Sequence, residues 1–148
     1  MIEYKYAEGR IAESTQFILR EMAEFDSDYS VKSWEEYNRD VKLQKLMERT
    51  VENILTALIE VAGTVLAREG MSAENYSEVM RDAGKFFKLG SSECVDLAKL
   101  AGQRNRLVHR YLDLKWQVII VYKQNASLIR KFLKLVLDKG RNKRIKSI

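Results

Sequence analysis

No proline occurs anywhere in the 148 residues of this chain. At an average usage of ~5%, about seven prolines would be expected. Proline removes a backbone donor and clashes with the preceding turn, so its absence lets helices run without interruption. Leu, Lys, Glu and Ala, which favour helices, are also abundant. We therefore predict an all-α fold, and the length suits one domain with one core.

Apolar residues recur at helical spacing along most of the chain. The clearest stripe alternates three and four residues and consists of Met47, Val51, Ile54, Leu58, Val61 and Val65. A second inward-facing set near the C-terminus comprises Ile119, Tyr122, Ala126, Ile129, Leu133 and Val136. The pattern predicts an up-and-down bundle of roughly four to five helices, at about 3–24, 33–69, 73–88 and 114–139, with a further helix that follows Ser91 or Ser92 and carries residues 104–109.

Glycines and small polar residues mark the predicted helix ends. The predicted stops are Gly70, Gly90 and Gly140, and the predicted caps are Ser72, Ser91 or Ser92, and Asp113. In the third helix, the spacing predicts burial of Tyr76, Val79, Ala83 and Phe86 or Phe87. We expect residues 1–140 to form the helical domain and the basic segment 141–148 to be a flexible tail.

The cysteine and hydropathy patterns indicate a cytoplasmic protein with no membrane partner. Cys94 is the single cysteine and can form no internal disulfide, as suits a reducing compartment. The longest apolar run, 54–67, contains Glu60, and the N-terminus lacks a signal pattern.

The net charge of +5 is distributed unevenly between the two halves of the chain. Residues 1–60 carry 13 acidic and 8 basic side chains, whereas residues 61–148 carry 8 acidic and 18 basic ones. A basic half attracts polyanions such as RNA through counterion release and electrostatic steering. A solvated helical surface with a charged tail would have the same balance, so charge alone leaves both readings open.

The most informative motif lies in the basic half, at residues 104–111, and reads RNRLVHRY. It contains His109, the single histidine of the chain, and Arg104, a permanent cation suited to gripping phosphate. Arg106 and Arg110 flank the pair and would add phosphate affinity. Such a pair suits acid–base cleavage of a phosphodiester, although a purely structural role is common for an isolated R-x4-H spacing.

The motif resembles the RNxxxHxY signature of HEPN domains, and most closely that of the HepT group. The order of the predicted helices around it, over roughly residues 5–139, is similar as well, with Gln44, Glu48-Arg49, Gly84 and Asp113 in comparable places. The resemblance implies a HEPN-like helical bundle that forms a two-fold dimer in which the motifs of both chains meet. It also implies a metal-independent ribonuclease, the toxin of a two-gene system. Its partner would be a minimal nucleotidyltransferase antitoxin, which silences the toxin by transferring AMP to Tyr111.

The motif residues suggest a mechanism without metal or cofactor. His109 is the candidate acid–base group, Arg104 would stabilise charge on phosphorus, and Asn105 would orient His109 or the substrate. The reaction needs two proton-transfer groups, a base and an acid. Because the chain has one histidine, a dimer would supply the second imidazole.

Two other functions stay open at this stage. One is a non-catalytic nucleotide- or substrate-binding subunit that partners a nucleotidyltransferase, and the other is a helical interaction protein with a structural motif. Four aromatic residues are expected in the core or an interface rather than stacking on bases: Trp34, Phe86, Phe87 and Trp116. Gly84 and Gly102 are expected at sites of close packing.

Overall fold

The computed structural model describes residues 2–108 and 115–146, with side chains over 7–108 and 115–140. Within these ranges the chain forms six α-helices and no strand, which confirms the all-α prediction. The helices are α1 (Ile2–Asp28), α2 (Trp34–Arg39), α3 (Val41–Arg68), α4 (Tyr76–Phe86), α5 (Ser91–Val108) and α6 (Lys115–Lys146).

The single helix predicted over 33–69 is divided into α2 and α3. Asp40, between them, has an extended backbone, and its carboxylate accepts a hydrogen bond from the Leu43 N–H at 3.1 Å. Ser33 caps α2 in the same way, accepting from the Glu36 N–H at 3.1 Å. Two N-caps seven residues apart explain the break, because each favours a new helix start.

The end of α3 follows the prediction, whereas the start of α4 does not. Gly70 has a φ of 72°, the left-handed conformation that ends many helices. The cap of α4 is Asn75 rather than Ser72, since the Asn75 side chain accepts from the Glu78 N–H at 3.0 Å. Glu78 in turn accepts from the Glu74 N–H at 3.0 Å, so two bonds made by Glu78 place the helix start three residues later.

The predicted starts and stops of the last two helices also need correction. Ser91 is already the first residue of α5, and the Gly90 N–H before it donates to the Glu93 carboxylate at 3.1 Å. Gly140 does not end α6, which continues to Lys146. An interior glycine costs only ~1 kcal/mol in a helix, too little to stop it without a second signal. The flexibility of residues 141–148 stays a prediction, and the predicted cap Asp113 lies outside the described residues.

α3 is the central helix of the bundle and contacts each of the five other helices. All six members of its predicted stripe are buried. By length and hydropathy α3 could cross a membrane, but 61% of its most apolar window is buried inside the bundle, as is typical of a core helix. The inward set of α6 is likewise buried, apart from the partly buried Ala126.

The two predicted close-packing glycines differ. A Cβ added to Gly84 would lie 2.9 Å from the Cys94 Sγ and 3.1 Å from the Leu97 Cδ1, so α4 and α5 do pack closely there. A Cβ added to Gly102 would meet no described atom within 4 Å, so no close packing is seen at this residue among the described residues.

The predicted core aromatics pack as expected, with one exception in exposure. Phe86, Phe87 and Trp116 are partly buried against the core. Trp34 is 46% exposed, although its ring lies 5.9 Å from that of Trp116. Tyr76 overturns its prediction, because 54% of it is exposed to solvent.

Candidate active site

Arg104 lies on α5 and is held against the central helix. Its Nε donates to the Thr56 hydroxyl on α3 at 3.3 Å, and its Nη1 lies 3.5 Å from the Asn105 Oδ1, which accepts a second bond. Among the described residues, no ion pair includes this guanidinium. Arg104 is therefore oriented by neutral groups, and its guanidinium forms no ion pair with a described carboxylate.

The local fold of α5 explains this orientation. Leu107 is buried with 6% exposure, as the helical pattern predicted, and fixes the rotation of the last turns of α5. Arg104 is three residues earlier and so lies on a neighbouring side of the helix, where it meets α3. Asn105 and Arg106 are exposed, so that their polar groups face solvent.

Half of the predicted site lies outside the described residues. His109, Arg110 and Tyr111 belong to the 109–114 segment, so the structure gives no distance from Arg104 to any of them. The catalytic role of His109, the phosphate-binding role of Arg110 and the modification of Tyr111 stay predictions.

Described residues before and after the 109–114 segment contact α3. Before it, Arg104 binds Thr56, and after it, the Lys115 Nζ lies 3.0 Å from the Glu48 Oε1. Glu48 also accepts a hydrogen bond from the Tyr37 hydroxyl at 3.2 Å. Burial and the Glu48 charge both raise the pKa of the Tyr37 phenol, which therefore stays a neutral donor.

Two cavities meet at Arg104. The first, which we name the α3 groove, has a volume of about 440 Å³ and is lined by Arg10, Thr56, Ile59, Glu60, Gly63, Thr64, Ala67, Tyr76, Val79 and Arg104. The second, which we name the acidic cleft, measures about 450 Å³ and shares Thr56, Glu60 and Arg104 with the first. Its lining adds the carboxylates of Glu13 and Glu52. Arg104 thus lies between a mixed groove and a carboxylate-rich one.

Sequence reasoning missed Thr56 and the groove it lines. A signal was present, because polar residues recur every four positions along the central helix, at Glu52, Thr56, Glu60 and Thr64. Residues four apart share a helical face, so this stripe marks a polar side of the core helix.

A family model described as "Ribonuclease HepT-like" matches residues 17–136 of the chain. The match covers most of the chain and includes the whole motif at 104–111. A search of curated proteins gave no significant match.

Proposed function

Because the chain belongs to the HepT-like ribonuclease family, we propose that it is a metal-independent ribonuclease whose reaction centre contains Arg104 and His109. The orientation of the Arg104 guanidinium is the observation that supports this proposal most directly. Thr56 and Asn105 orient its guanidinium, and no described carboxylate forms an ion pair with it. An arginine held in this way can donate two parallel hydrogen bonds to an incoming phosphate.

The reaction uses the 2′-OH of the RNA as its nucleophile. His109 accepts the proton of this hydroxyl, the 2′ oxygen bonds to phosphorus, and the bond to the 5′ oxygen breaks. A second acid protonates the leaving 5′ oxygen, so the products are a 2′,3′-cyclic phosphate and a free 5′-OH. Arg104 stabilises the charge that builds up on the non-bridging oxygens. Asn105 orients His109, four residues further on, or the substrate.

A two-fold homodimer supplies the second acid. The chain has one histidine, and a symmetric pairing of two motifs provides one imidazole as base and one as acid. Arg106 and Arg110 add phosphate affinity beside the pair. Activity should therefore follow the dimer on dilution, and monomers that cut RNA as fast as dimers would contradict the shared site.

The same motif contains Tyr111, the residue through which the activity is regulated. The protein acts as the toxin of a two-gene system in the cytoplasm, and a minimal nucleotidyltransferase antitoxin transfers AMP to Tyr111. The transferred nucleotide adds bulk and negative charge next to His109 in the sequence, so it competes with RNA for the phosphate site.

A cleavage assay on a short fluorescent single-stranded RNA, in the presence of EDTA, tests the catalytic proposal. His109→Ala and Arg104→Ala should each lower kcat by about 100-fold or more, the range for lost acid–base or charge-stabilising groups. Arg81→Ala is the matched control, because Arg81 is an exposed arginine on α4 that lines neither cavity at Arg104.

Two results would contradict the proposal. Loss of wild-type activity in EDTA would refute the metal-independent mechanism. Nucleotide or RNA binding without any cleavage would instead favour a non-catalytic subunit that partners the nucleotidyltransferase.

A further inference from the structure

The α3 groove extends away from Arg104 along the central helix. It follows one face of α3 from Thr56 to Ala67, which is about 16 Å at 1.5 Å per residue. Val79 of α4 lies beside Gly63, because a Cβ built on Gly63 would be 3.9 Å from the Val79 Cγ1. Since α4 returns along α3 after a short connection, Tyr76 lies towards the Ala67 end. The groove therefore has Arg104 near one end and an aromatic ring near the other.

The groove offers an aromatic ring that can stack on a base and arginines that can bind phosphate. Tyr76 is an aromatic residue whose exposure, 54%, leaves its ring available to stack on a base. Arg104 and Arg10 contribute two cations to the lining, and arginine binds phosphate oxygens in bidentate fashion. An exposed aromatic residue with nearby arginines is the common arrangement for binding single-stranded nucleic acid.

The middle of the groove selects a base rather than a phosphate. Its lining there includes the apolar Ile59, the small Gly63 and the exposed carboxylate of Glu60. A carboxylate repels phosphate, but it accepts hydrogen bonds from exocyclic amino groups such as N4 of cytosine. Uracil lacks an exocyclic amino group and offers Glu60 only its ring N3–H, so Glu60 should favour cytosine over uracil.

We propose that the α3 groove is the subsite for nucleotides of single-stranded RNA next to the scissile phosphate. One base stacks on Tyr76, and an amino-bearing base donates to Glu60. The proposal rests on the proposed function, because it takes Arg104 as the ligand of the phosphate that is cut.

Gly63 is a position from which a larger side chain can be directed into the groove. The Cβ of any residue placed there makes only ordinary contact with Val79, and leucine favours helix more than glycine does. Gly63→Leu should therefore fold and occlude the groove. Gly9→Leu is the matched control, because Gly9 is also helical, has no described atom within 4 Å of its Cβ position and does not line the groove.

The experiment measures binding of fluorescent RNA octamers by anisotropy, with every variant made in a His109→Ala background that prevents cleavage. Tyr76→Ala should weaken binding by about 5- to 150-fold, the effect of one lost base–aromatic stack. Tyr76→Phe keeps the ring and should bind like the parent. Gly63→Leu should bind as weakly as Tyr76→Ala, while Gly9→Leu should bind normally.

The carboxylate gives a second readout in the same assay. The parent should bind oligocytidine more tightly than oligouridine, and Glu60→Gln should reduce that preference. Circular dichroism of each variant confirms that the helices are retained.

The outcomes separate this proposal from the catalytic one. If folded Gly63→Leu and Tyr76→Ala bind RNA as tightly as the parent, the subsite is wrong, whether or not the wild-type protein cleaves. If the wild-type protein does not cleave RNA but these variants bind it more weakly, the subsite stands and the ribonuclease proposal fails.

Discussion

Replacing Thr56 by valine should slow RNA cleavage with little effect on folding. Valine has nearly the shape of threonine, so Thr56→Val keeps the walls of both cavities and removes only the hydroxyl that accepts from the Arg104 Nε. Without this acceptor, the guanidinium is no longer fixed on the side of α5 that meets α3. Its contribution to the transition state then falls, because an electrostatic group acts best when it is already oriented.

The size of the effect follows from the hydrogen bond. A bond to a charged group contributes about 1.5–3 kcal/mol. At 3.3 Å, and with Arg104 only partly buried, the bond is weaker than most of this kind, and we expect about 1–2 kcal/mol, around or below the lower end of that range. This corresponds to a fall in kcat of about 5- to 30-fold, at 1.36 kcal/mol for each factor of ten. The free energy of unfolding should change by less than about 1 kcal/mol, because solvent can hydrate the partly exposed arginine.

Single-turnover cleavage of a short RNA is the suitable assay, since it reports the rate constant of the cleavage step separately from product release. Thr56→Ser retains the hydroxyl and should recover most of the activity. In an Arg104→Ala background, Thr56→Val should cause no further loss, because two residues that act through one contact are not additive. Equal activity of Thr56→Val and wild type, or equal loss in the valine and serine variants, would refute the reasoning.

Three further predictions test the packing, the electrostatics and the control of the protein. Gly84→Ala should lose about 1–2 kcal/mol of stability in urea denaturation, because overpacking exceeds the helix gain of alanine. Its Cβ would meet the Cys94 Sγ at 2.9 Å, so adding Cys94→Ala should recover part of the loss, and a fully stable Gly84→Ala would contradict the close packing. The hydrogen bond from Lys131 lowers the pKa of Glu93 below its ordinary 4.5, so the stability it gives is present above that value and is lost as the pH falls through the lowered pKa. The stability difference between wild type and Lys131→Gln should therefore shrink in acid, and a difference independent of pH would count against this. Tyr111→Phe should stay ribonucleolytic yet escape the antitoxin, which mass spectrometry and the cleavage assay can follow, and neutralisation of this variant by covalent adenylylation would refute the assignment.

The long apolar helices could be predicted from the sequence because one physical signal dominates them. The stripe of α3 and the inward face of α6 repeat at helical spacing over many turns, so local errors average out. The boundary at Asp40 could not be predicted in this way, since the apolar pattern continues across a cap that is set by a single side chain. Tyr76 was misplaced because it is the first residue of α4 and lines the open α3 groove rather than the core.

The site was only half accessible to sequence reasoning. The RNRLVHRY motif stands out because its residue types match phosphodiester chemistry at a short spacing. Thr56 acts on Arg104 from 48 positions away, and no local pattern joins two residues so distant in the chain. The polar stripe on α3 indicates that a face of the helix is special, but only the packing of α5 shows which arginine it meets.

Glu48 and Thr56 are eight residues apart on α3, about 12 Å along one rigid rod. They contact Arg104 and Lys115, which lie before and after His109 in the chain, while the opposite face of α3 forms the core. Both the stability of the fold and the geometry of the proposed site therefore depend on α3. A mutation that lets α3 shift relative to α5 and α6 should weaken the Arg104–Thr56 and Lys115–Glu48 contacts before it unfolds the bundle. Warming should accordingly abolish activity at a lower temperature than it melts the helices.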